Sequence, residues 1–356
     1  MLIFEPQKYF PQCHASTLAQ MRDGRIFVAW FAGTRESYPD TAIWMSYLLP
    51  NEKVWSKPAV IAKVKDVAHW NPVLFAFEDK MYMFFKVGEL IENWITYYMF
   101  FENEKWSEPQ LLVKTKNQDL QYNRGPVRSK PIVLSNGYWI APSSTEKTIS
   151  PAMYSLDGLS SFKADVDWKA FVDISKNEGK TWNKSKLIDF DRKKYGLKDV
   201  KRFGGFSKQT DGKYGGVIQP TLWESTNGNV HMLLRSTAGF IFRSDSADYG
   251  QTWCEAYSTE LPNNNSGVDV VKFKELLFLA YNPVTGNWAA RTPLSLVVSK
   301  DNGQTWGKPL DIQEGQGSFS YPSVAILNDG IGVVYTWNRL SISFVKIKLN
   351  FLDNIV

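Results

Sequence analysis

Ser246-Ala-Asp-Tyr-Gly-Gln-Thr-Trp253 and Ser299-Lys-Asp-Asn-Gly-Gln-Thr-Trp306 are two copies of one turn, S-x-D-x-G-x-T-W. Ser175 to Trp182 is a third copy, with Asn177 in place of the aspartate. In such a turn the carboxylate accepts hydrogen bonds from its own backbone, glycine supplies the positive φ, and tryptophan packs beneath. Shorter polar turns end in Trp55 (NEKVW) and Trp106 (ENEKW), and the five tryptophans are spaced 51, 76, 71 and 53 residues apart.

Working outward from these turns, a two-strand pattern precedes each: an apolar run, a tight turn, and a second apolar run. It reads HASTLAQMRDGRIFVAWF, NPVLFAFEDKMYMFFKV, KPIVLSNGYWIAPS, QPTLWESTNGNVHMLLR and SGVDVVKFKELLFLAYN, with a sixth copy, YPSVAILNDGIGVVYTW, that lacks a tryptophan turn. Asp23-Gly24, Asn136-Gly137, Asn227-Gly228 and Asp329-Gly330 are hairpin signals. Helical periodicity is scarce. Six repeats of this kind predict an all-β fold, a six-bladed β-propeller of four-stranded antiparallel blades. Residues 1–356 read as a single domain, with ISFVKIKL (Ile342 to Leu349) as the last strand and a polar insertion between blades over Asn183 to Gly216.

Composition agrees with a large folded core. Hydrophobic residues make up 44% and charged residues 22% of the 356, which excludes a disordered chain, and the 15% of aromatics calls for an architecture that buries rings repeatedly. No apolar run reaches the roughly 20 residues of a membrane-spanning helix. The net charge of +5 is scattered rather than clustered, so nucleic acid is excluded as a partner. Two cysteines and three dispersed histidines give no disulfide framework and no metal site, and no cofactor is called for. The opening residues MLIFEPQKYFP lack the features of a signal peptide, so the default expectation is a cytoplasmic location.

Topology then selects a functional face. In an antiparallel blade the start of strand one and the end of strand two lie at one edge, and the tryptophan turns at the other. Strand-one starts bring His14, Asn71, Lys130, Gln219, Asn265 and Tyr321 to that edge. Strand-two ends and the loops after them add Arg35, Asp40, Lys86, Glu146, Arg235, Asn282, Arg291 and Arg339. A cation-rich mouth containing one tyrosine predicts a small anionic ligand, because guanidinium groups hold carboxylates in a bidentate manner.

The tryptophan turns resemble the Asp boxes of the sialidase (neuraminidase) superfamily, and the whole chain is similar to that family's BNR-repeat branch. The resemblance implies that the boxes are structural and lie away from the active site. It implies further that Phe31-Ala-Gly-Thr-Arg35 and Asp40 supply an arginine and the acid/base aspartate, that Arg235 and Arg291 belong to the carboxylate-binding set, and that Tyr321 in Phe319-Ser-Tyr-Pro is the nucleophile. A phenol suits a 2-keto sugar acid, whose own carboxylate on the anomeric carbon would repel an attacking carboxylate. An aspartate would protonate the leaving oxygen and later activate water, and arginines would steady the oxocarbenium-like state.

The sequence departs from the family pattern at three places. His14 stands where the family has its first arginine, Thr336 where a glutamate supports that arginine, and Gln219 where a glutamate takes the proton from the tyrosine. Glu146 is the expected replacement base, with Glu224 as the weaker candidate. His14, Asn71, Gln219, Asn265 and Arg339 are expected to line the pocket. The resemblance thus implies an exo-glycosidase acting on terminal sialic acid, Kdn or Kdo type glycosides, with an acidic-sugar glycan as partner. The alternatives are a non-catalytic propeller that binds acidic carbohydrate and, by analogy alone, a uronic-acid polysaccharide lyase.

Overall fold

Alternating apolar and polar residues bounded by Asx-Gly turns can bury one face of a strand only by pairing with neighbours. In the computed structural model, which describes residues 1–150, 165–197 and 215–348, they do so in six separate antiparallel sheets. Blade one comprises β1 (Gln12–Gln20), β2 (Ile26–Gly33), β3 (Ala42–Leu48) and β4 (Ala59–Ala62). Blade two holds β5 (His69–Phe77), β6 (Lys80–Val87) and β7 (Ile95–Glu102), with β7 paired to the short β8 (Lys105–Trp106) and β9 (Gln110–Leu111). Blade three is β10 (Ile132–Val133), β11 (Trp139–Ser150), β12 (Asp165–Ser175) and β13 (Asn183–Lys184). Blade four is β14 (Val217–Thr226), β15 (Asn229–Ser236), β16 (Phe240–Ser246) and β17 (Tyr257–Pro262). Blade five is β18 (Asp269–Phe273), β19 (Leu276–Tyr281), β20 (Leu294–Ser299) and β21 (Leu310–Gln313).

Blade six is completed by the other end of the chain. Its three consecutive strands are β22 (Phe319–Leu327), β23 (Gly330–Trp337) and β24 (Ser341–Lys348). Leu2 forms an antiparallel bridge to Ser343, flanked by Ile3 N donating to Ile342 O (2.8 Å) and Phe344 N donating to Met1 O (2.9 Å). The N-terminal segment therefore supplies the fourth strand and closes a six-bladed β-propeller. Closure covers the outer edge of β24, which the three consecutive strands of blade six would leave unpaired. The expected final strand begins one residue earlier than predicted, at Ser341. Of the polar insertion, residues 198–214 lie outside the described part.

Between the blades the aromatics fill the wedge-shaped gaps. Trp30, Trp139 and Trp223 are fully buried, and Phe75, Phe77 and Tyr82 of blade two pack their rings edge-on against Trp139 of blade three. Each such ring contributes about 1.5–3 kcal/mol of burial. That recurrent packing accounts for the high aromatic content.

The Asp boxes are turn locks. Asp301 Oδ1 accepts Thr305 N (2.9 Å) and Ser299 Oγ (2.8 Å), while Ser299 Oγ itself accepts Gly303 N (2.8 Å). Asp248 makes the equivalent bonds with Thr252 and Ser246, and Asn177 Oδ1 accepts Thr181 N at 2.9 Å. Gly303 at φ 75° is the residue that lets the turn close. Hydrogen bonds from Thr305, joined by those from Ser299 and the turn backbone, bring the Asp301 pKa down to about 2. Among the described residues no helix is long and apolar enough to cross a membrane.

Asp301→Ala removes the acceptor of one box and is expected to lower stability by roughly 1 kcal/mol, read as a fall in the thermal midpoint. Asp301→Asn, the residue type present in the third box, is expected to recover most of that loss. The folded pKa lies below the unfolded value, so the contribution is present above about pH 4 and fades as pH falls towards 2. Equal midpoints for Ala and wild type at pH 7 would show that the box does not stabilise the turn.

Candidate active site at the channel mouth

The same backbone irregularity recurs near the start of the innermost strands. Register breaks fall between His14 and Thr17, Trp70 and Val73, Ile218 and Thr221, and Ser320 and Ser323. In each break one residue takes a left-handed conformation: Ala15 (φ 55°), Asn71 (37°), Gln219 (51°) and Tyr321 (55°). Three of these precede a proline (Pro72, Pro220 and Pro322), which further narrows the backbone available to them. A bulge re-aims side chains. A bulky residue at positive φ is strained and persists only where its surroundings over-determine it.

Tyr321 is over-determined in that sense. Its hydroxyl accepts a hydrogen bond from Arg235 Nη1 at 2.7 Å. The same nitrogen donates to Gln219 Oε1 (3.1 Å), and Arg235 Nε donates to Asn265 Oδ1 (2.7 Å). Asn265 in turn donates to Asn287 Oδ1 at 2.7 Å. The tyrosine ring lies 4.2 Å from the His14 ring, centroid to centroid, and the guanidinium carbons of Arg128, Arg291 and Arg235 lie 5.2, 5.6 and 5.7 Å from its centre. Arg291 Nη1 also donates to Ser320 Oγ (3.2 Å). Arg235 is further flanked by the rings of Trp168 and Trp288, at 5.2 and 5.6 Å.

His14 records how positive this cup is. Its pKa is held well below the ordinary histidine value, first by burial and then by the charges of Arg339, Arg291, Arg128 and Arg235. It is neutral, with Nδ1 3.0 Å from Thr336 Oγ1 and no hydrogen-bond partner at Nε2 among the described residues. His14 and Thr336, at positions where the resemblance implies charged residues, form a neutral hydrogen-bonded pair.

The predicted residues divide into two groups. Tyr321, Arg235, Arg291, Gln219, Asn265 and His14 are brought together around one phenol. Asn71 is buried close by and donates to Val127 O (3.1 Å). The remainder sit on the rim. Arg339 pairs with Glu36 (2.7 Å) on the loop between β2 and β3. Arg35 is exposed on that loop and stacks on Tyr38 at 4.4 Å rather than reaching Tyr321. Asp40 closes the same loop, accepting Thr34 N and Thr34 Oγ1 at 2.8 Å each, and is exposed. Glu146 lies opposite Trp168 in the β11–β12 pair. Burial pushes its pKa up to about 7, with the charge of Arg235 opposing and that of Glu36 reinforcing the shift. No hydrogen bond joins it to the Tyr321 hydroxyl. Glu224 belongs to the other edge, where it accepts Ser135 N, Ser135 Oγ and Gly228 N, and so is unavailable as a base.

Sequence reasoning missed Arg128 and Glu36. Arg128 lies in GPVRSKP, whose basic pair Arg128 and Lys130 is equally explicable in the sequence as blade-edge solvation, yet it is 1% exposed. Its Nη2 donates to Pro322 O (2.6 Å), directly after Tyr321, and its Nε and Nη1 have no partner among the described residues. Its neighbour Lys130 turns away into a buried ion pair with Asp269 (2.8 Å). The one available signal was the placement of Arg128 just before the third blade's first strand. A buried guanidinium that is incompletely paired costs several kcal/mol, an expense of the kind found where function needs the charge.

The closed ring of six blades and its Asp boxes define a β-propeller built from BNR-type repeats. The BNR repeat-like domain family matches residues 24–334, and the chain belongs to that family. A Hadza microbial sialidase aligns with 100% of this chain and 69% of its own at a TM-score of 0.73 and 14% identity. A mutant of the NanB sialidase from Streptococcus pneumoniae aligns with 98% of this chain and 70% of its own, at a TM-score of 0.69 and 13% identity. A Dyadobacter fermentans protein of unknown function is alike over 98% of both chains, at a TM-score of 0.70 and 14% identity. At such identities the likeness is one of fold. No curated protein matches.

Arg128→Met keeps the volume but removes the charge and the tether to Pro322. The expected result is a retained fold and an affinity for a small carboxylate-bearing sugar weakened by about tenfold, the loss of roughly 1.4 kcal/mol, measured by calorimetry. Affinity equal to that of the wild type would reduce Arg128 to a packing residue.

Proposed function

We propose that this protein is an exo-acting glycoside hydrolase that releases a terminal 2-keto-3-deoxy sugar acid of sialic acid, Kdn or Kdo type. The observation that carries the reading is the arrangement of Arg128, Arg235 and Arg291 around the Tyr321 phenol, with Arg235 hydrogen-bonded to its oxygen. A sugar whose carboxylate sits on the reacting carbon is attracted by the guanidinium groups and meets a nucleophile without a charge of its own.

In this mechanism Arg235 and Arg291 hold the substrate carboxylate, with Arg128 adding positive charge from below and Arg339 from the rim. Tyr321 Oη bonds to the anomeric carbon as the glycosidic C–O bond breaks, and Asp40 gives its proton to the leaving oxygen. Asp40 is carried by the β2–β3 loop, which Lys63 fastens through Pro39 O and Thr41 O. Water then attacks the glycosyl-tyrosine, with Asp40 as base. Because Arg235 donates to Tyr321 Oη, the hydroxyl proton points elsewhere, and Gln219, already accepting from Arg235, offers no basic group. Glu146 is the carboxylate of the mouth that takes up the proton, relayed through water. Its pKa of about 7 suits that task near neutrality.

A second reading is supported by one observation: among the described residues no carboxylate is hydrogen-bonded to the Tyr321 hydroxyl. On that reading the cup binds an acidic sugar without cleaving it.

Free-acid release from sialyl, Kdn and Kdo glycosides decides between them. Turnover by the wild type, reduced by at least about a hundredfold in Asp40→Ala, is the expected outcome. Calorimetric binding without turnover on any of the three selects the second reading. For the hydrolase, Glu146 acts when ionised, so kcat/KM is expected to rise with pH through about 7. Glu146→Gln should flatten that limb, and an unchanged limb would remove Glu146 from the mechanism.

A further inference from the structure

The opposite edge of the ring holds a second cluster of chemically competent side chains, between blades four and five. Ser225 is the extra residue of a bulge between Glu224 and Thr226 near the β14–β15 turn. Its Oγ lies 2.8 Å from His231 Nε2, and His231 Nδ1 lies 2.5 Å from Asp245 Oδ1. Asp245 is itself fixed, accepting Arg243 Nε (2.9 Å) and the Tyr257 hydroxyl (2.6 Å). Burial works against its charge, but the bonds from His231, Tyr257 and Arg243 together bring its pKa down to about 2, so it is ionised at neutral pH. Arg243 Nη2 also lies 3.1 Å from His231 Nδ1; with the ionised Asp245 carboxylate nearer, at 2.5 Å, a proton on Nδ1 is the arrangement that leaves the Nε2 lone pair for the serine hydroxyl.

A fourth group completes the set. Asn302, in the Asp box of blade five, has its Nδ2 3.1 Å from His231 Nε2, the same ring nitrogen that Ser225 Oγ approaches. Trp223 Nε1 donates to Asn302 Oδ1 (2.7 Å), which fixes the amide with its nitrogen turned towards His231. Lys272 Nζ donates to the Ser225 carbonyl (2.8 Å) and adds positive charge beside it. His231 is buried, whereas Ser225 and Asn302 are half-exposed.

We propose that Ser225, His231 and Asp245 form a second hydrolytic centre, acting on small acyl esters, with Asn302 as the oxyanion donor. Ser225 Oγ bonds to the ester carbonyl carbon while its proton passes to His231 Nε2. The oxyanion that forms accepts a hydrogen bond from Asn302 Nδ2. The ester C–O bond then breaks, and the alcohol leaves with the proton held by His231. Water, deprotonated by His231, attacks the acyl-serine, and the carboxylic acid departs as Ser225 recovers its proton. The cluster shares no residue with the Tyr321 cup, so this activity does not depend on the glycosidase reading.

The test uses the full chain, a fluorophosphonate probe and 4-nitrophenyl acetate. The expected result is covalent labelling mapped to Ser225 and absent in Ser225→Ala. Ester hydrolysis should fall by about a thousandfold in Ser225→Ala and to a comparable degree in Asp245→Asn, and by about a hundredfold in Asn302→Ala. Ser225→Ala removes one half-exposed hydroxyl, so it should keep its thermal midpoint and its affinity for an acidic sugar, which separates loss of chemistry from loss of fold. No label on Ser225, or ester hydrolysis by Ser225→Ala at the wild-type rate, overturns the proposal and leaves the cluster as a link between two blades.

Discussion

The hydrogen bonds that Met1 to Ile3 make with β24 hold the ring shut, and the mouth chemistry depends on that closure. Arg128, Arg235, Arg291 and Arg339 come from four different blades, and His14 from a fifth. Like charges gathered at this distance repel, and nothing local to any one blade opposes the repulsion. A ring whose first and last strands are neighbours converts the inter-blade packing of Trp30, Trp139 and Trp223 into a fixed diameter at the mouth. The arginines cannot separate without opening the sheet that the two chain ends share.

Strain is placed where that geometry converges. The bulge that occurs in four blades turns one residue inwards at each, and in the last blade that residue is a tyrosine. Arg235 from one side and Arg128 from below hold it there, one through the hydroxyl and the other through the carbonyl of Pro322. The charge balance departs from that implied by the family resemblance. Neutral His14, Thr336 and Gln219 stand in place of an arginine and two glutamates, while Arg128 adds a cation. On the proposed reading, this balance suits holding an anion and stabilising negative charge on the phenol oxygen more than accepting a proton from it.

The two edges of the propeller carry different chemistry for a topological reason. Strand-one starts and strand-two ends converge on the channel, which gathers side chains from all six blades. At the turn edge the His231 network joins only the adjacent blades four and five. The Asp boxes at that edge are rigid enough to offer Asn302 as a fixed amide, a role quite separate from the stabilising one of Asp301 beside it.

The amino-acid sequence by itself determined the blades. Period-two apolar runs, Asx-Gly turns and the S-x-D-x-G-x-T-W boxes are local signals, each read within a dozen residues, and their recurrence specified the ring and the edge at which Tyr321, Arg235 and Arg291 would meet. Only the tertiary structure decided which cations face the phenol. Arg128 reaches Pro322 across 194 positions of chain, and Arg235 reaches Tyr321 across 86. Arg35, though close in sequence to Asp40, turns out to stack on Tyr38. Those outcomes depend on ring diameter, bulge geometry and the burial of individual guanidinium groups, none of which is encoded in the spacing of residues along a single blade.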